Sequence, residues 1–247
     1  MIGAMTTPLA DVAAALNRQW ERLERWLEPL GDDLLGTADQ PSALPGWTNG
    51  ELLAHLGRAM SAVTAAMPCP PGTKPLSLAE YLGTYPGRAQ EITDTTKDLA
   101  QEIAATPQAT VREMARDALD HLVALGDDGD RVVQARRAPI KLRELAVSRL
   151  IELVVHADDL VTSLHGTVDS TGPADPRAPE ATRIVADELL RIVVTRGGWR
   201  LEVVEPLLWV RLASGRQPYD VDALARALST GDTATGVPDL GRMLPLF

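Results

Sequence analysis

The sequence predicts a mainly α protein, with a helical bundle over the first two-thirds and a small α+β segment at the end. Three observations predict this. Apolar residues recur at steps of three and four through most of residues 8–164. The stretch HGTVDSTGPADPRAP, residues 165–179, is rich in Gly, Pro, Ser and Asp and reads as a linker. Beyond it, WRLEVV and LLWVRLA carry the β-branched and aromatic content of two short strands. Two domains are therefore expected, residues 1–166 and 173–247.

The first helix is expected over 8–30, where Val12, Leu16, Trp20, Leu23 and Leu27 form one stripe. A loop from Gly31 to Gly46 leads to TNGE, which has the capping-box form: Thr48 accepts from first-turn amides and Glu51 reaches back. It opens a second helix over roughly 49–67, which the proline-rich MPCPPGTKP ends. Residues 78–126 read as further helix, with a turn at Tyr85-Pro86-Gly87 and a break at Pro107. RVVQARRAPI reads as a short extended piece before a long apolar helix over 141–164. After the linker, a helix is expected over 179–197, then the two strands, a turn at SGRQP, and a helix over 221–230.

Composition narrows the function classes. A net charge of -10 disfavours nucleic acid and anionic membrane as partners. No apolar run has the length of a membrane span, and the N-terminal stretch lacks the pattern of a signal peptide, so a cytoplasmic location is expected. The single cysteine, Cys69, excludes an internal disulfide and a multi-cysteine metal site. It lies in a proline-rich loop with no adjacent His or Lys to activate it, which argues against a nucleophilic role.

The chemistry concentrates on IELVVHADDL, residues 151–160. Glu152 and His156 stand four residues apart, one helical turn, within the apolar stripe of their helix. A buried glutamate is costly unless paired or ligated. His55 lies on the core stripe of the second helix, between Leu52 and Ala59. Inward side chains from different helices of a bundle can converge, so His55, Glu152 and His156 form a candidate three-ligand metal site with an open position. The plainer reading is an i, i+4 hydrogen-bonded pair and a structural histidine. His121 and His165 carry no comparable pattern; the first reads as solvated or capped, the second as a helix-end histidine.

Two motifs extend this reading. LPGWTNGELLAHL (44–56) and SRLIELVVHADDL (148–160) resemble segments of the DinB-like, mycothiol-dependent maleylpyruvate isomerase family, in the same order and at a similar separation. The resemblance implies a DinB-like up-down four-helix bundle over roughly residues 8–166, followed by a small α+β C-terminal domain. It implies a divalent metal, usually zinc, on His55, Glu152 and His156. It further implies a low-molecular-weight thiol, mycothiol in actinobacteria, and a small electrophilic substrate. Thiol addition to that electrophile would give cis–trans isomerisation or S-transfer. The competing expectation is a non-catalytic metal-binding or regulatory module. A monomer or homodimer is expected.

Four side chains are weighed for supporting roles. Arg149 either orients Glu152 or forms an ordinary helix ion pair. Asp159 has the same two options. Arg216, in SGRQP, either reaches an anionic substrate or thiol, or is a turn arginine in water. Trp47 either anchors the core or walls the metal cleft.

Overall fold

A computed structural model describes residues 6–165, 175–231 and 236–247. Four helices form the bundle: α1 (Leu9–Leu27), α2 (Asn49–Thr64), α5 (Pro107–Ala124) and α6 (Leu142–Ser163). In the bundle α1 packs on α6, α6 on α2, α2 on α5 and α5 back on α1. The long loop from Gly31 returns the chain to α2. The expected capping box is present: Thr48 Oγ1 accepts from the Glu51 amide at 3.2 Å, and Glu51 accepts from the Thr48 amide at 2.8 Å. Pro107 opens α5, where its missing N–H costs nothing.

Between α2 and α5 lie two further helices, α3 (Leu78–Leu82) and α4 (Ala89–Glu102). α4 packs on α2 and α3 on α6. The proline-rich segment after α2 and the stretch before α6 build a three-stranded antiparallel sheet, ordered β1 (Met67–Pro68), β2 (Val132–Gln134) and β3 (Pro139–Lys141). Its register pairs Met67 with Gln134 and Val133 with Ile140. The turn between β2 and β3 carries Arg136 and Arg137 against α2.

The long apolar helix is buried on every side. From Leu145 to Leu160 every residue of α6 is shielded from solvent, as expected of a helix covered all round. α6 therefore places its polar residues inside the protein, where each needs a partner.

The expected linker falls largely on residues 166–174, which lie outside the described residues. The final segment comprises α7 (Pro179–Gly197), β4 (Leu201–Val203), α8 (Pro206–Ala213), α9 (Val221–Ala227) and β5 (Leu228–Thr230). α7 packs on α1 and α6, and one apolar core runs from the bundle into it. Gly198, with φ +70°, closes α7 in the left-handed conformation a helix end favours.

Two expectations are corrected. LLWVRLA is helix α8, not a strand: Trp209, Val210, Leu212 and Ala213 are buried at helical spacing, and Pro206 starts the helix. The expected helix over 221–230 stops at Ala227, because Leu228–Thr230 pairs antiparallel with β4 as β5.

Candidate metal centre

The capping box sets where α2 begins, and its core residues Leu52, Leu56 and Met60 set which face turns inward. His55 lies beside that stripe and is buried. On α6, Glu152 and His156 point to the same place. His55 Nε2 lies 3.3 Å from Glu152 Oε2, and His156 Nε2 lies 3.1 Å from the same oxygen. The two imidazole rings meet edge to face at 4.6 Å. One donor atom from each residue falls within 4.8 Å of the other two. The structure thus brings together all three residues singled out in the sequence.

The outer ring atoms are held as well. His156 Nδ1 donates to Asp159 Oδ2 at 2.9 Å. Arg216 in turn donates to Asp159 through Nη2 at 2.9 Å and Nε at 3.1 Å. His55 Nδ1 lies 3.4 Å from Thr96 Oγ1 on α4. Trp47 packs edge-on against His55 at 4.8 Å and covers it. Each ring therefore presents Nε2 to the centre and its Nδ1 to a fixed partner, the arrangement that orients histidine ligands.

The charges follow from these contacts. Burial, then the neighbouring His156, pushes His55 down to about 4, so it is neutral. Burial works against an ionised Glu152, but its bonds to His156 and His55 and the charge of Arg149 outweigh that. Its carboxyl sits well below the usual range. Burial also opposes a charged His156, yet its bonds to Asp159 and Glu152 raise it above its ordinary value. Asp159 is lowered in spite of burial by its bonds to His156 and Arg216.

The supporting residues divide. Arg149 lies only 3.8 Å from Glu152 Oε1 and donates chiefly elsewhere, to the Ala59 carbonyl at 3.0 Å and the Tyr85 hydroxyl at 2.7 Å. Asp159 holds His156 and not Glu152, the residue it was weighed against; its i, i+3 spacing from His156 is the signal that could have found this role. Arg216 is bound to Asp159. Cys69 donates its amide to the Val132 carbonyl at 2.9 Å and lies away from the centre. His121 bonds the Ala66 carbonyl at 2.8 Å, and His165 is exposed at the end of α6. Thr96 and Tyr85 were missed; both arrive from segments distant in sequence, with no local signal.

The centre forms part of the wall of a cavity of about 720 Å³. Trp47, Tyr81, Tyr85 and Phe247 give it aromatic walls, and six arginines line it. Such a space can admit a small molecule to the open side of the three donors.

The family model of the mycothiol maleylpyruvate isomerase N-terminal domain matches residues 16–161. Among solved structures, one titled "Crystal structure of the mycothiol-dependent maleylpyruvate isomerase" matches at 15% identity and TM-score 0.55, over 94% of this chain and 95% of that chain. A histidine-to-alanine mutant of a mycothiol-dependent maleylpyruvate isomerase matches at 17% identity and TM-score 0.45, over 94% and 95% of the two chains. The curated proteins give no match.

Proposed function

This chain belongs to the mycothiol maleylpyruvate isomerase N-terminal domain family, and from that premise we propose that it is a metal-dependent, thiol-using enzyme acting on a small electrophile. The reaction is cis–trans isomerisation of a maleylpyruvate-like substrate or S-transfer from the thiol, with mycothiol as the thiol. One observation carries the reading: His55, Glu152 and His156 present their donor atoms to one point on a cavity wall.

The donor set suits a divalent metal such as zinc. Two imidazole nitrogens and a carboxylate oxygen are the ligand types of catalytic zinc. Glu152 is held ionised and His55 neutral, the forms that ligate, while His156, raised by Asp159 and Glu152, would give up its Nε2 proton on binding the metal. When bound, the metal would lower the pKa of a thiol and so supply a thiolate at neutral pH. Three donors facing a cavity support an open site and disfavour the structural, closed alternative.

The chain's own residues would prepare the rest. Asp159 fixes the His156 ring, and Arg216 fixes Asp159. Trp47 shields His55 from water. Arg149 keeps the Tyr85 hydroxyl in place beside the cavity. The aromatic walls would lower the local dielectric beside a bound thiol and so strengthen charge interactions there.

Elemental analysis of untagged protein tests the reading. About one divalent metal per chain is expected, with most of it lost in His55→Ala and in His156→Ala, alongside thiol-dependent turnover of maleylpyruvate or a simple electrophile. A chain that holds no metal after reloading with zinc overturns it.

A further inference from the structure

We propose that Arg58, Arg136 and Arg137 form an oxyanion-binding subsite in the cavity, apart from the three metal donors, which holds a charged group at the far end of the substrate. The proposal rests on the reading of this cavity as a substrate cavity and adds which residues hold the substrate's charged end.

The three arginines reach the cavity from two directions. Arg58 stands on α2, three residues beyond His55, so about 4.5 Å further along the helix axis. Arg136 and Arg137 come from the turn between β2 and β3, which lies over α2. Arg136 Nη2 donates to Ser61 Oγ at 2.9 Å and fixes that turn to the helix. Arg137 lies over the Tyr85 ring at 4.2 Å and the Tyr81 ring at 5.9 Å, so its guanidinium is aimed by aromatic faces. All three line the same cavity.

Among the described residues none of the three forms an ion pair, although Glu152 and Glu91 partly offset the charge of Arg58. The cavity's other arginines have carboxylates: Arg88 is bound to Glu91 at 2.7 Å, Arg216 to Asp159, and Arg149 lies near Glu152. Arg137 Nη1 is buried and bonds to nothing in the protein. Burial, and after it the charges of Arg136 and Arg137, hold Arg58 below its ordinary value. Clustering like charges is costly, and an unpaired buried donor adds to the cost. In a chain of net charge -10, acidic partners for these arginines would be easy to supply. Their absence is explained by a partner that arrives with the ligand. Planar guanidinium forks suit a carboxylate or a phosphate.

Calorimetric titration with sodium maleate and with inorganic phosphate tests this, on the full chain at low salt. One oxyanion is expected per chain, weakening as ionic strength rises. Tighter maleate binding assigns a carboxylate tail, and tighter phosphate binding a phosphoryl tail. Arg58→Gln and the double variant Arg136→Gln/Arg137→Gln are each expected to weaken binding about tenfold or more. Arg137→Lys should recover part of it, and Arg88→Gln should bind as the parent does. Circular dichroism checks each fold, and Arg58→Gln stands in if the turn variant unfolds. Binding should persist after chelator treatment, so a failure of the metal reading leaves it intact. The proposal is overturned if the parent binds neither ion, if these variants bind as the parent does, or if chelation abolishes binding.

Discussion

Asp159 shows how much one side chain can decide at the centre. It is buried, it accepts a hydrogen bond from His156 Nδ1, and it is itself held by Arg216. Replacing it with Asn keeps the shape but removes the charge that raises ligand basicity. Asp159→Asn should retain the fold and lose metal affinity by about 10–100-fold, as outer partners of histidine ligands do. Competition with a chromogenic chelator measures it, and unchanged affinity would mean that Asp159 serves packing alone. Arg149 makes a different point. Its position three before Glu152 left open direct support or an ordinary ion pair; its charge helps to hold Glu152 ionised, while its guanidinium bonds the Ala59 carbonyl and Tyr85. It links the α2 backbone to the cavity wall.

At the level of elements, α2 and α6 carry the centre, and their starts differ. α2 begins with a reciprocal cap, so its register is set locally. α6 has no side-chain cap, and its start is set instead by β3, which runs directly into it. Thr48→Ala should therefore destabilise the protein by about 1 kcal/mol, read as a lower urea midpoint. The variant should bind zinc as the parent does, because Leu52, Leu56 and Met60 still fix the inward face of α2. The misread element, α8, is short, and a short apolar run has no period long enough to separate strand from helix. What chose the helix is burial of Trp209 and Ala213 together with Val210 and Leu212.

Over the whole molecule, two neighbouring aspartates of α6 tie the last segment to the bundle. Asp158 accepts from Arg177 at 2.6 Å and from Arg211 at 2.7 Å, while Asp159 accepts from Arg216. Asp158 is buried and its arginines are partly solvated, so its removal exposes no deeply buried cation. Asp158→Ala should cost about 2 kcal/mol. Hydrogen exchange should quicken in α7 and α8 before it does in α1 and α2. Equal acceleration throughout would show that the two parts open as one unit. Arg216 couples this docking to the candidate metal centre through Asp159 and His156.

By itself the sequence determined the helical bundle, the cap of α2, the break at Pro107 and the triad of His55, Glu152 and His156. Each of these is written in local terms: apolar period, capping chemistry, or turn spacing within a helix. Two motifs also carried the family resemblance that the match over residues 16–161 bears out. Only the tertiary structure decided the partners. Thr96, Tyr85 and the Arg136–Arg137 turn reach the cavity beside Arg58 because α4 packs on α2, α3 packs on α6, and Arg136 ties the β2–β3 turn to α2. Such long-range contacts leave no period in the chain. The same holds for β5, the last three residues of the expected helix over 221–230, which pair with β4 instead.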